Sequence, residues 1–461
     1  MPPEPLGLGV DLGTSGLRLA LIDPGGRVLA EQASAYPAPF EDPAGWRDGL
    51  ITLCAALPPE LRARVAAIAV DGTSGTLLLC STDGRPAPGT LGLALPYHRA
   101  CPEQAADAAA LVGPEGTGSP AATASGSLAR ALALLRAAAD QADERPADRS
   151  GGEGGATPLA AHALSAGEAP PPFPWLLRHQ ADWLMGWLLG DWRWGEEGNN
   201  LRLGWDLEAS AWQGAIARQP WSAALPRLCA SGTVLGPLAG AAAGALGLPS
   251  GCQVVAGSTD ASAAVLAADP RSGDGVTVLG TTLALKQFSP RPIRAPGVSC
   301  QRLAGQWLVG GASNAGAGVL GRFFSDDQLA ELSRQIDPRR PSGLELRPLP
   351  RPGERFPVDD PALEPVLEPR PVSDALYLQG LLEGLARIER DGWRRLQELG
   401  APPIRRVISL GGGARNPQWR ALRQRALGVP VLQRPKRSAA LGMALLALRS
   451  GGRMEAATAA P

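Results

Sequence analysis

Leu6 to Ile22 reads LGLGVDLGTSGLRLALI, so two β-prone apolar runs flank the polar group Gly13-Thr14-Ser15-Gly16. After the turn-forming Asp23-Pro24-Gly25-Gly26, a third run covers Arg27 to Ala35. The pattern predicts a β-meander with a tight, hydroxyl-bearing first turn. The same grammar returns twice. Val65 to Leu79 (VAAIAVDGTSGTLLL) predicts a second hairpin around Asp71-Gly72-Thr73-Ser74-Gly75, and Gly275 to Phe288 (GVTVLGTTLALKQF) writes the opening motif again without its acidic residue.

Between these strands the apolar period lengthens to that of helices. Helices are expected over Gly49 to Leu57, Ser125 to Asp140, Phe173 to Leu189, Leu207 to Ala217, Asp326 to Arg334, Ser373 to Leu399, Asn416 to Leu427 and Ser438 to Leu448. Pro37 to Trp46 reads as an irregular loop, and Gln141 to Gly155 as a polar, Gly-rich surface loop. The Phe173 to Leu189 stretch carries His179, Gln180 and Asp182 among its apolar residues, so it reads as an amphipathic helix and not a membrane span. Texture changes near Ala230 to Pro237, after which VVAGSTDASAAVLAA opens a strand-turn-helix unit. The boundary falls there, giving domains at residues 1–234 and 235–461 in an α/β chain.

Composition narrows the function without choosing it. The 461 residues are 44% apolar, enough for two or three cored domains, and the formal charge is 0 with no long basic run. Neither nucleic acid nor an anionic membrane surface is implied. Six scattered cysteines show no metal-ligand spacing, and only three histidines exist, so a zinc site is not expected. With no secretory signal pattern, reduced thiols in a cytoplasm fit best.

The first turn carries chemistry of its own. Gly13 and Gly16 allow backbone N–H groups close to an anion, Thr14 and Ser15 add hydroxyl donors, and Asp11 stands at the end of the preceding strand; phosphate with a divalent cation suits that set. Asp-Gly-Thr is equally an ordinary hairpin turn. Gly411-Gly412-Gly413 between a strand and a helix N-terminus offers close approach to a flat or phosphorylated ligand. Asp260 sits at a strand-to-helix junction, where it is either an N-cap or a carboxylate presented to a ligand. Asn314 lies in a Ser-Asn-Ala-Gly turn with an ordinary structural explanation and could also face a nucleotide.

Taken in order, Asp11-Leu12-Gly13-Thr14-Ser15 with Arg18, Gly257-Ser258-Thr259-Asp260, Gly280-Thr281-Thr282, and Gly411-Gly412-Gly413-Ala414 with Asn416 resemble the FGGY carbohydrate kinases. That resemblance implies two ribonuclease H-like domains, of the type shared with actin, hexokinase and Hsp70 ATPases, facing a central cleft. It implies ATP and Mg²⁺ as cofactors, with Asp11 by the phosphates and the metal through water. Gly13, Thr14, Ser15 and Arg18 would meet the transferred phosphoryl group, Gly280 and Thr281 would form the second phosphate turn, and Gly411, Gly412 and Asn416 would receive the adenosine. Asp260 matches the catalytic base. Phosphoryl transfer depends on in-line positioning and charge stabilisation more than on covalent help, and this equipment supplies both.

Asn199 to Asp206 (NNLRLGWD) resembles a stretch of a cyanobacterial and plant branch of that family, described as xylulokinase-like or as ribulose kinase. Asp71 stands where bacterial xylulokinases of the family carry a Gly-Gln-Met-His-Gly-like stretch, which favours D-ribulose over D-xylulose or another polyol. Asp71 and Asp260 are candidate partners for sugar hydroxyls, with Ser74 and Trp46 as further candidates; Trp46 could equally pack in a core. His98 lies in a loop on the substrate side. A monomer that binds a small sugar, with homodimer as the alternative, completes the expectation. A nucleotide-binding sensor of the same superfold is the rival reading.

Overall fold

A computed structural model describes residues 4–116, 118–143, 174–434 and 437–458. The opening meander forms as expected: β1 (Leu6–Leu12), β2 (Leu17–Ile22) and β3 (Val28–Ser34) pair antiparallel in sequence. Helix α1 (Pro43–Ala55) starts earlier than its apolar period suggested, because the Asp42 carboxylate caps Ala44 N at 2.9 Å and Pro43 takes the first helical position. Strand β4 (Val65–Gly72) then runs parallel to β1.

Here the expected hairpin fails. The strand after the Asp71 turn, β5 (Leu77–Cys80), leaves the sheet and pairs antiparallel with β6 (Leu176–His179), reached through helix α2 (Ser127–Asp143). The place beside β4 goes instead to a later parallel strand. Residues expected as one helix from 173 to 189 are therefore β6 followed by α3 (Gln180–Leu189), among those described. Of the surface loop expected over 141–155, residues 141–143 extend α2 and the rest lies outside the described residues.

Residues 207–217 form no continuous helix. Trp205 and Trp212 face each other across a short hairpin with ring centroids 5.4 Å apart, and the Asp206 carboxylate accepts Glu208 N and Ala209 N, a turn that competes with helix.

Strands β7 (Val234–Pro237) and β8 (Gln253–Thr259) complete the first sheet in the order β7-β8-β4-β1-β2-β3, and helix α4 (Asp260–Ala267) follows. The boundary at 234/235 is thus corrected: β7 and β8 are the last two strands of the first sheet, and the second sheet begins at Asp274. Punctuation by glycine and proline marked a change of element, not of domain.

The second sheet holds β9 (Asp274–Leu279), β10 (Leu283–Ser289), β11 (Val298–Leu303), β12 (Gln306–Ser313), β13 (Arg406–Leu410) and β14 (Val431–Gln433), ordered β11-β12-β10-β9-β13-β14. In both halves antiparallel strands lie on one side of the first strand and two parallel strands on the other; β7 adds an antiparallel edge to the first sheet, and in the second β12 pairs with β10 so that β11 becomes the edge. Helix α5 (Asp374–Glu398), helix α6 (Pro417–Leu427) and helix α7 (Ala439–Thr458) occupy the second half. Inside it the buried Glu389 carboxylate accepts Thr277 Oγ1 at 2.6 Å and Arg423 Nη2 at 2.7 Å, tying α5 and α6 to β9.

Helices α4 and α7 each follow the last strand of their half, and they pack on each other between the domains. Glycines set their approach. A Cβ on Gly442 of α7 would lie 2.0 Å from Ala263 O, and one on Gly9 of β1 would lie 1.9 Å from Ala440 O. Helix α7 therefore seats on the first sheet. Among the described residues no helix is long and apolar enough to cross a membrane.

Candidate functional site

Both helices point their N-termini into one cleft of about 780 Å³, lined by Asp11, Gly13, Arg18, Asp260, Arg415 and Arg437 among others. Asp11 ends β1, and its register partner on β4 is Asp71, whose own partner on β8 is Ser258. Asp260 follows two residues later as the first residue of α4. Three carboxylates thus converge where the central parallel strands end, which is where open α/β sheets present ligand sites.

Among the described residues one cation touches them directly: Arg18 Nη1 reaches Asp11 Oδ2 at 3.1 Å, with the arginine about half exposed. Asp71 is fully buried, and among the described residues neither of its carboxylate oxygens meets an N–H or hydroxyl donor; the neighbouring Asp11 carboxyl is a group with which it can share a proton. Burial, with the Asp11 and Asp260 charges beside it, holds the Asp71 carboxyl well above the usual range. Burial also pushes Asp260 up to about 6, against the pull of the Ala261 N–H and helped by Asp11. A buried carboxylate without such donors is costly alone and useful beside a polyol, because hydroxyl groups are donors it lacks.

The first turn stands at the mouth. Gly13 is half-buried, Thr14 and Ser15 are exposed, the Tyr36 hydroxyl donates to Gly13 O at 2.8 Å, and Thr14 Oγ1 donates to Tyr97 Oη at 3.3 Å. In the second domain, the Gly280 N–H donates to Thr282 O at 3.1 Å, leaving Thr281 and Thr282 exposed in a turn. Gly411 takes φ +83°, where a Cβ would press within 2.7 Å of Leu279 O, whereas space above Gly412 is open. Asn416 is committed otherwise: its Oδ1 caps Trp419 N at 3.0 Å and its Nδ2 donates to Ser333 Oγ at 2.8 Å. Its amide shapes the turn and does not face the cleft as a free group.

The other candidates separate. Ser74 is half-buried in the turn after Asp71. Trp46 is a correction: it is fully buried, its Nε1 donates to Phe40 O at 2.8 Å, and its ring meets Trp183 edge-on at 5.9 Å, so it belongs to the first domain's core. His98 is exposed and stacks edge-on against Tyr97. Asn314 donates to Gly353 O through Nδ2 and to the Glu354 carboxylate through its backbone N–H, both within the second domain. Asn199 is buried with both amide atoms unpartnered, while Asn200 Nδ2 donates to Asp182 Oδ2 at 3.0 Å.

Sequence reasoning missed Tyr36, Gln180, Arg415 and Arg437. Arg415 follows the triple glycine closely and Arg437 precedes α7, so each had a motif beside it; Tyr36 and Gln180 had no local signal. Three guanidiniums, from Arg18, Arg415 and Arg437, with two helix N-termini form a lining complementary to a polyphosphate. Among the described residues no three His, Cys, Asp or Glu side chains are grouped to ligate a metal ion; the Asp11 carboxylate lines the cleft and would be the group to hold a hydrated divalent ion through water.

Residues 275–451 match the model of the FGGY family of carbohydrate kinases, C-terminal domain. Solved structures share the fold along nearly the whole chain. One described as a xyloylose kinase from Brucella ovis aligns at TM-score 0.76 and 20% identity, covering 97% of this chain and 91% of that one. A xylulose kinase from Rhodospirillum rubrum aligns at TM-score 0.72 and 20% identity over 96% and 89%. A glycerol kinase from Plasmodium falciparum aligns at 0.75 and 13% over 97% and 90%.

Proposed function

From the match of residues 275–451 to the FGGY family of carbohydrate kinases, C-terminal domain, we propose that this chain is a kinase of that family and that it transfers the γ-phosphoryl group of ATP to the terminal hydroxyl of a free ketopentose, D-ribulose giving D-ribulose 5-phosphate. The observation that carries the acceptor side is Asp71, a buried carboxylate without donors beside Asp260. Vicinal hydroxyls supply those donors. The turn in which Asp71 sits and the NNLRLGWD stretch support ribulose; D-xylulose and other polyols are the alternatives.

Each group then has a role. Asp11 would hold a hydrated Mg²⁺ through water, and the ion when bound would neutralise charge on the phosphates. Gly13, Thr14 and Ser15 offer N–H and hydroxyl donors to the phosphoryl oxygens, and Arg18 orients the Asp11 carboxylate. Asp260 accepts the acceptor proton as the new O–P bond forms and the bond to ADP breaks, and near neutral pH it is ionised for that task. Drawing the two walls together excludes water from the transferring group.

A panel of free ketoses, aldoses, alditols and glycerol, read by ADP release, tests this reading. D-ribulose is expected to give the highest kcat/KM. Faster turnover of D-xylulose would overturn the acceptor assignment, and no acceptor-dependent turnover with any compound would overturn the kinase.

A further inference from the structure

The two turns of the first domain are joined by a closed ring of hydrogen bonds. The Tyr36 hydroxyl donates to Gly13 O in the phosphate turn and accepts Gln180 Nε2 at 3.5 Å. Gln180 Oε1 accepts both Thr73 N at 3.1 Å and Thr73 Oγ1 at 2.8 Å in the acceptor turn. Since Thr73 gives its proton to Gln180, Thr76 must give its own to Thr73, 2.6 Å away. Thr76 Oγ1 in turn accepts Tyr97 N at 3.1 Å, and Tyr97 Oη accepts Thr14 Oγ1, returning to the phosphate turn. Every proton in the ring has one consistent direction.

The ring's centre is dry and its base is fixed. Gln180 is fully buried at the start of α3, and Thr73 and Thr76 are buried as well. Below the acceptor turn, the buried Arg130 donates to Gly75 O at 2.8 Å, Arg99 O at 2.8 Å and Ser125 O at 3.0 Å, which prevents the turn from relaxing away. A change at either turn must therefore be accommodated by the other. Low local dielectric strengthens such a chain of bonds beyond isolated pairs.

We propose that this ring couples the two halves of the reaction: Tyr36, Gln180 and Tyr97 are positioning residues through which occupancy of the phosphate turn sets the geometry of the acceptor turn, and the reverse. Its purpose rests on the kinase reading above. By reciprocity, a nucleotide at residues 13–16 stiffens residues 72–77, and an acceptor at the second turn tightens the first against transfer to water.

The test uses the full chain and its Tyr36→Phe, Tyr97→Phe and double variants; each single substitution keeps the aromatic ring and removes one hydroxyl. Amide hydrogen exchange is followed with and without Mg²⁺ and the non-hydrolysable β,γ-imido analogue of ATP. In the wild type the analogue slows exchange at 280–282, the turn that the kinase reading assigns to the phosphates, and by about five-fold at 72–77, which that reading leaves clear of the nucleotide, the lower end of ordinary coupling. Each single variant keeps part of the remote response and the double variant loses it, with slowing at 280–282 intact and melting temperature close to wild type. With the best acceptor, the ratio of acceptor-dependent to acceptor-independent ADP release falls about ten-fold in the double variant, the same order of coupling. A double variant that retains the remote response, or a wild type that shows slowing only at 280–282, overturns the ring. No response at either place overturns the nucleotide site itself.

Discussion

Replacing Asp71 with asparagine separates what the residue costs from what it does. Its carboxylate is fully buried, without an N–H or hydroxyl donor and flanked by Asp11 and Asp260, so folding must either protonate it or hold an uncompensated charge. The folded pKa lies above the unfolded one. Its favourable contribution is therefore complete below about pH 4 and is lost as pH rises through the folded value, at up to about 1.4 kcal/mol per pH unit within that window. The asparagine side chain has the same shape and no such loss. Allowing about 1–2 kcal/mol for the amide's own unmet hydrogen bonds, Asp71→Asn should match or fall slightly below wild type at about pH 4.5 and gain on it steadily as pH rises, becoming the more stable of the two by about pH 8. Urea unfolding at the two pH values measures this directly. Activity should move the other way: losing charge-assisted bonds to acceptor hydroxyls, each worth about 1.5–3 kcal/mol, lowers kcat/KM for the acceptor some ten- to hundred-fold. A variant equally destabilised at both pH values, or one with acceptor kcat/KM within two-fold of wild type, would refute the reasoning.

Three further outcomes follow from the same geometry. With Asp260 titrating near 6 and active when ionised, kcat/KM for the acceptor should fall about ten-fold per unit below pH 6 and level off above it, and Asp260→Asn should lose roughly 10²–10⁴-fold at pH 8; a flat profile between pH 5 and 7 would remove the base. Glu389→Ala strands the buried Arg423 guanidinium and should cost about 3–5 kcal/mol by denaturant unfolding; a loss under about 1 kcal/mol would show that water reaches it. Trp46→Phe should lower stability by roughly 1–3 kcal/mol while leaving the acceptor KM within two-fold, and a selective rise in KM would return Trp46 to the cleft.

Local patterns carried their own signal well. The meander over β1 to β3, the Gly280 turn and the Asp260 junction were all legible, because each is fixed within a few residues by alternation, glycine and a helix start. Asp11 and Asp71 could also be picked out singly. Their adjacency could not: it depends on β4 lying parallel to β1, and hairpin grammar favoured the antiparallel partner that β5 never becomes. The domain boundary failed for the same reason, since β8 returns to the first sheet across a long separation that composition does not record. Tyr36 and Gln180 have their partners 23 to 144 residues away, so no window of sequence could show their role. Trp46 had two plausible fates, and a backbone carbonyl at Phe40 decided it by satisfying the indole N–H inside the core.

The seating of α7 on β1 has a consequence for how the chain is made. Gly7 and Gly9 are bare so that residues 440–448, synthesised long after them, can lie against β1. The cover of β1 is thus the part of the first domain's packing supplied from the far end of the described chain. Domains that finish before their successors emerge can fold in turn. The first domain completes its burial only with α7, the last helix among the described residues.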